Sequence, residues 1–444
     1  MNGIWIYTTY DGKSAATKTI DIKSTEDFGQ ENQAINLHPD FKYQSFEGFG
    51  GSLTEAAAYT WKQMSEELRS EFIYYYFGKD GIGYTQARMS LDSCDASLGN
   101  YSAMDDENDI NLDSFSLIRD EEYVLPFMKA INKETKEPVT VMLTPWSPPP
   151  FMKTNGQKNQ GGKLKKEYRA LWAEYFCRYI EEYRRRGVNV TRISIQNEPA
   201  ATQKWDSCCY SAIEEKEFLR DFLYPALQRH GLKDLEIYIW DHNKERAVER
   251  AMEIIDEDTE KMISGIAFHW YSGDHFEALA MLQERFPDKK LIFSEGCVEY
   301  SKYLAGNQLA NARMYGHDII GDLNSGASAF IAWTILFNSE GGPNHVNNLC
   351  EAPIMYDLKS KTLEKKLCYT YIGHFSKYIL PGSKRIGMSK FTDRLDVTAW
   401  ERPDGKLVVV IMNRTNEEMV VFLRIHHQVL EVTLPGDCIG TALI

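Results

Sequence analysis

The chain has 444 residues, with 50 Lys and Arg against 64 Asp and Glu, a net charge of −14. A surface this acidic excludes binding to a phosphate backbone as the main task, so nucleic acid is not an expected partner. Apolar residues at 43%, with 25 Tyr, 21 Phe and 9 Trp, describe a large folded core and not a disordered chain.

Residues 1–45 are polar and short-patterned, with one strand expected at Lys18–Ile22. From residue 46 short apolar runs alternate with helical stretches. The expected strands are Phe46–Gly50, Tyr84–Met89, Val139–Leu143, Arg192–Ile195, Glu236–Trp240, Gly265–His269, Leu291–Ser294 and Ala327–Trp333. Near-continuous apolar runs suit parallel strands buried on both faces. Ser65 is a good N-cap, with Glu66 and Glu67 in the first turn behind it. Tyr168, Leu171, Trp172, Tyr175, Phe176, Tyr179, Ile180 and Tyr183 form one helical stripe, and Phe218, Leu219, Phe222, Leu223, Ala226 and Leu227 another. Eight strands alternating with helices predict an α/β fold, a (β/α)8 TIM barrel over 46–380. After Pro381-Gly382 the pattern turns to strands at Asp396–Trp400, Lys406–Met412, Val420–Arg424 and Leu430–Leu434, with a Pro403-Asp404-Gly405 turn. Residues 381–444 are too few to stand comfortably alone and are expected to join residues 1–45 in a β side domain.

No run approaches the ~20 apolar residues that span a bilayer, so membrane insertion is not expected. Met1–Ile6 has neither a basic leader nor an apolar h-region, and the eight cysteines are scattered without a CxxC pair. Free thiols and a cytoplasmic location are the expectation.

A barrel of this class builds its site at the C-terminal ends of its strands. In chain order those ends carry Arg88, Asp92 and Asp95; Trp146; Asn197-Glu198-Pro199; Asp241 and His242; His269-Trp270-Tyr271; Glu295; and Trp333. Aromatics stack on sugar rings, and amides and carboxylates bind hydroxyls, so a carbohydrate is the expected partner. Most acids are solvated surface charges, but Glu198 and Glu295 directly follow buried strands four and seven, where a carboxylate is unusual unless used. Two carboxylates facing one cavity are what glycoside hydrolysis needs, one protonated and one ionised.

These residues resemble glycoside hydrolase family 30, the glucosylceramidase group of retaining glycosidases. Phe46–Thr54, Gly81–Tyr84 with Arg88, Ser93-Cys94-Asp95, Pro145–Pro149, Met152–Gly156, Asn197-Glu198-Pro199, His269-Trp270-Tyr271, Ser294–Cys297, Glu340–Asn344 and Gly373–Lys377 are similar to its segments, in order. The resemblance implies a barrel with a β-sandwich built from both chain ends, and a double displacement. Glu198 is then the general acid/base and Glu295 the nucleophile. Asp95 and Trp146 would hold sugar hydroxyls, Asn197 the 2-hydroxyl, and Tyr271 would orient Glu295. Trp333 would meet the sugar, Arg88 would lie behind the nucleophile, and Asn348 would line the rim. Two departures stand out. Gln196 replaces the usual Glu before Asn-Glu-Pro, and Phe330–Thr334 lacks the Asp and Asn of the animal enzymes' last strand.

Trp205 is placed by its nearness to Glu198 either on the aglycone side or in the core. His269 and His275 match no zinc spacing, so no metal or other cofactor is expected, and His269 is counted with the sugar-binding residues. Asp105–Asp113 lacks the glycine and terminal glutamate of a calcium loop, and residues 155–166 are expected to be a surface loop. The expected activity is that of a retaining β-glycosidase on β-D-glucosides or short β-glucans. An endo-β-1,6-glucanase, a β-xylosidase and a non-catalytic sugar-binding barrel are the alternatives.

Overall fold

The computed structural model of the protein describes residues 1–29, 31–303 and 306–444. By contacts the chain falls into two compact units. One comprises 49–303 and 330–364. The other comprises Met1–Gly48, the helix Gln308–Asn324 with the start of the last barrel strand, and Lys365–Ile444.

Eight strands close into a barrel in sequence order: β1 Gly48–Ser52, β2 Gln86–Leu91, β3 Thr140–Pro145, β4 Val190–Ser194, β5 Glu236–Asn243, β6 Gly265–His269, β7 Lys290–Glu295 and β8 Ala327–Thr334. The TIM barrel expected from the alternation of runs is therefore present. β1 begins two residues later than its apolar run. The N–H groups of Phe46 and Glu47 instead donate to Ser383 O and Ser328 O.

The expected helices form, with one distortion. Ser65 caps Glu66–Phe77 by accepting from Leu68 N. The Tyr168–Tyr183 stripe is buried along Arg169–Arg185. The 218–227 stripe is split into Ala212–Phe218, a π turn at Leu219–Leu223, and Tyr224–Arg229. Pro225 cannot donate to the i−4 carbonyl, and the wider turn absorbs the missing bond.

Two register shifts at the C-terminal end of the barrel prepare the site. Between β5 and β6 the pairing runs from Ala267↔Trp240 to Phe268↔His242, leaving Asp241 as the extra residue. Trp240 and Asp241 both take positive φ, 72° and 51°. Between β6 and β7 it runs from Phe268↔Phe293 to His269↔Glu295, leaving Ser294 as the extra residue. A bulge re-aims the side chains beyond it and is enriched beside active sites. At the opposite end, Arg192 holds Gln86 Oε1 at 2.6 Å and Glu236 Oε2 at 2.8 Å, tying β2, β4 and β5.

The other unit is built on a ten-stranded sheet. Its order is Ala15–Lys23, Asn2–Tyr10, Cys438–Leu443, Leu407–Asn413, Leu395–Glu401, Lys384–Lys390, Ala34–Ser45, Met419–Ile425, Gln428–Leu434 and Thr25–Glu26. Both chain ends contribute, and Trp5, Ile35, Leu37, Val397, Val409, Val421 and Leu430 share one core. A Cβ on Gly440 would sit 2.2 Å from the Trp5 ring, so only glycine lets Asn2–Tyr10 pack against its neighbour there. Asn2–Tyr10 and Ala34–Ser45 were not foreseen. In Ala34–Ser45 the apolar residues are interleaved with Asn, His, Asp and Lys, and in Asn2–Tyr10 they are confined to Ile4–Tyr7 between polar ends.

Among the described residues no helix is long and apolar enough to cross a membrane. All eight cysteines are free thiols.

Candidate active site

The two carboxylates reach one cavity by different means. Glu295 is the last residue of β7 and is 7% exposed. Gly296 follows it, and a Cβ there would meet Phe293 at 2.4 Å and Trp270 at 2.7 Å, so the turn after Glu295 requires glycine. Glu198 lies four residues past β4 at φ 45°, with its N–H donating to Asp241 O at 3.0 Å. A non-glycine residue in that region is strained and persists only where its surroundings enforce it. One ligand atom each from Glu198, His269 and Glu295 lie within 4.8 Å of one another.

Donors hold each group in place. Arg88 is fully buried. Its Nη1 donates to Glu295 Oε2 at 2.6 Å, and its Nη2 to Asn197 Oδ1 and Asp241 Oδ2, both at 2.8 Å. Its guanidinium lies 4.5 Å from the Trp146 ring centroid. Tyr271 OH donates to the other oxygen of Glu295 at 2.9 Å. With Oδ1 of Asn197 occupied by Arg88, that amide offers the cavity a donor. Gln196 Nε2 donates to Trp146 O at 2.8 Å and Asn197 O at 2.9 Å. A carboxylate could not make either bond, so the departure at Gln196 locks two wall residues by a different route.

Asp95, Trp146, Asn197, Glu198, Trp205, Tyr271, Glu295, Trp333 and Asn348 line one cavity of about 320 Å³, a volume within the range of small-molecule sites. Trp146 and Trp333 meet at 5.4 Å between centroids. Asn344 and Asn348 donate to Asp95 Oδ2 at 3.3 and 3.4 Å. Two expected residues are not on the wall. Arg88 lies behind Glu295, as anticipated. His269, expected among the sugar-binding residues, is also fully buried, with Nδ1 at 3.2 Å from Glu198 and Nε2 at 3.1 Å from Asp241. It acts on Glu198 and does not reach the cavity.

Sequence reasoning missed the role of Asp241. It accepts from Ser194 and Ser294, both at 2.5 Å, besides Arg88 and His269. The available signal was an acid ending the apolar run Ile237–Trp240. His242, named among the strand ends, lines the cavity too; Gln203, Asn243, Glu299 and Lys302 also line it, and nothing in their local sequence marked them. Residues 155–166 are more than a surface loop. Lys158 is buried and donates to Asp92, Ser102 and Ser147 O.

The electrostatics follow from this layout. Burial opposes charge on His269, but Glu295, Asp241 and Glu198 surround it and raise its pKa to about 9. Burial would raise Glu198 as well, but His242 and then His269 pull it down to about 2. Glu295 is raised, by burial first and by the charge of Glu198, against the pull of His269 and Arg88. Asp95 is raised to about 7 by burial and by the charge of Glu295. The unliganded site thus keeps its proton on His269. Both ring nitrogens of His269 are engaged, Nδ1 with Glu198 and Nε2 with Asp241.

Comparison with known proteins places the chain in a family. Residues 46–379 match the glycosyl hydrolase family 30 TIM-barrel domain, and residues 382–442 match the family's beta sandwich domain. The chain is 31% identical to the lysosomal acid glucosylceramidase of Mus musculus over 92% of this chain and 83% of that one. It is 25% identical to the endo-1,6-beta-D-glucanase neg1 of Aspergillus fumigatus over 85% of this chain and 80% of that one. The crystal structure of SrfJ from Salmonella typhimurium superposes with a TM-score of 0.95 at 40% identity, covering 100% of this chain and 99% of that one.

Proposed function

The chain belongs to glycosyl hydrolase family 30, and we propose that it is a retaining β-glycosidase acting on β-D-glucosides or short β-glucans. The observation that carries this reading is the separation of the carboxylates, with an oxygen of Glu198 within 4.8 Å of an oxygen of Glu295. Retaining enzymes hold their pair at about 5–5.5 Å, whereas inverting ones need about 6.5–9.5 Å to admit water. The preference for glucose is supported by the names of the mouse and Aspergillus relatives.

Glu295 attacks the anomeric carbon while Glu198 gives a proton to the departing glycosidic oxygen, and the sugar is left as an ester of Glu295. Water then attacks the same carbon, its proton passes to Glu198, and the Glu295 carboxylate leaves. Arg88 and Tyr271 supply the donors that keep Glu295 ionised and aimed. The proton that Glu198 needs is at hand on His269, 3.2 Å away. The charge of Glu295 is the foremost influence raising His269. As bond formation consumes that charge, His269 becomes the stronger acid and releases its proton toward Glu198.

The test is a panel of aryl β-glycosides with Glu295→Gln as control. Release from the glucoside should fall by at least about a thousandfold in the variant, and the first sugar anomer formed, followed by NMR, should be β. An α first product, or hydrolysis that survives the substitution, overturns the reading. An endo-acting β-1,6-glucanase is the second reading. It is favoured by a second cavity of about 380 Å³ that shares Trp205, Glu299 and Asn348 with the first.

A further inference from the structure

Asp206 and His345 meet beside the cavity, and neither takes part in the double displacement. Asp206 is fully buried, and the His345 side chain is 10% exposed. His345 Nε2 lies 3.4 Å from Asp206 Oδ2, and neither atom has another hydrogen-bond partner among the described residues. The other ring nitrogen, Nδ1, lies 3.3 Å from Ser97 O. The other carboxylate oxygen accepts from Ser93 Oγ at 2.6 Å. A carbonyl and a carboxylate can only accept, so the ring serves both only as an imidazolium with two N–H groups. Three loops are thereby joined. The one after β2 carries Ser93, Asp95 and Ser97. The one after β4 carries Asp206, next to Trp205. The one after β8 carries His345, between Asn344 and Asn348, whose amides donate to Asp95 Oδ2. Asp95, Trp205 and Asn348 line the cavity.

We propose that Asp206 and His345 form a charged clasp over these loops, and that His345 is a positioning residue, which sets sugar affinity by holding Asp95 and Asn348 in the cavity wall. The proposal rests on the reading of Glu198 and Glu295 as the catalytic pair. The charges that face the clasp favour it. Burial opposes the charge on His345, but Asp206, Ser97 O and Asp95 outweigh it and raise its pKa. Asp95, itself raised to about 7, adds its charge as pH rises. Burial would raise Asp206, but His345, Lys158 and Ser93 lower it. Lys158 is shared with Asp92, 3.4 Å away. The Cys94 thiol also faces Asp95 and Asp206, and burial with those two charges pushes it up and keeps it neutral. When His345 loses its proton, its one remaining N–H faces two acceptors, and one side of the clasp opens. The groups it holds meet the sugar in ground state and transition state alike, so loss of the clasp raises KM and leaves kcat nearly unchanged.

The test measures KM and kcat for 4-nitrophenyl β-D-glucoside from neutral to alkaline pH. Over the same range the His345 ring is followed by its Cε1–H proton resonance, assigned by its absence in His345→Gln. In the unsubstituted protein KM should rise with the midpoint of that titration, above the ordinary 6.5 of a histidine. A glutamine serves one of the two acceptors at a time, so His345→Gln should raise KM about tenfold at neutral pH, with kcat within about twofold. Asp206→Asn should remove the alkaline rise. The new amide donates to the neutral Nε2 while Nδ1–H keeps Ser97 O, so KM stays low where the unsubstituted protein has lost affinity. A pair that only braces the fold would weaken binding at every pH in both variants. An unchanged KM in folded His345→Gln, or the same alkaline rise of KM in Asp206→Asn as in the unsubstituted protein, overturns the clasp alone. No release of nitrophenol by the unsubstituted protein overturns the reading of the catalytic pair, and with it the role given to His345.

Discussion

Asp241 Oδ1 lies 3.1 Å from Nε2 of His269, on the side of the imidazole opposite Glu198. Its other oxygen accepts from Arg88, which reaches on to Glu295. One carboxylate at a bulge therefore connects His269, beside Glu198, with Arg88, beside Glu295. Its own pKa is strongly lowered. Burial works against the charge, but Arg88 and His269 outweigh it.

From this link follows a shift in pH dependence. Asp241→Asn removes a negative charge that raises His269, so the His269 pKa falls below about 9. If His269 stores the proton for Glu198, the basic limb of the kcat/KM profile moves to lower pH by about one unit or more. An unmoved limb in a variant that still folds would rule out His269 as the proton store.

Tyr271→Phe deletes the 2.9 Å donor to Glu295 Oε1 and leaves Arg88 as the close donor on the other oxygen. Loss of a bond to the ionised form raises the Glu295 pKa, so the acidic limb should rise in pH. The value of kcat should drop about tenfold to a hundredfold, with a smaller effect on KM. A variant that changes only KM would show that Tyr271 contacts substrate without aligning the nucleophile.

Asp95 governs stability in a defined pH window. Its folded pKa is about 7 against 3.8 unfolded. The folded state therefore binds the extra proton between those values, and stability declines as pH rises from about 4 to about 7, then levels off. Asp95→Asn removes this decline. In thermal melts the variant should gain on the unsubstituted protein across that window, by an amount on the order of a few kcal/mol. A constant difference in Tm from pH 4 to pH 8 would contradict the raised pKa.

The parts of this protein legible in sequence are those written by local pattern. Apolar runs marked the eight barrel strands, because a parallel strand covered on both faces is apolar at nearly every position. The stripe through Arg169–Arg185 marked its helix by period alone. Glu198 and Glu295 stood out because a carboxylate at the end of such a run is costly. The strand Asn2–Tyr10 escaped notice because only Trp5, Ile6 and Thr8 of its nine residues are well buried.

What the tertiary structure alone decided lies in relations between distant residues. That His269 serves Glu198 from behind, and does not touch the cavity, depends on bulges at Asp241 and Ser294 that shift the register of neighbouring strands. That Asp241 joins Arg88 to His269 depends on β2, β5 and β6 meeting around one axis. The second cavity is assembled from residues near 204, 300 and 347. Sequence pattern reports how each segment is buried, since burial sets composition and period within a few residues. It does not report which buried polar groups face one another, since that is set by strand closure and register across more than a hundred residues of chain.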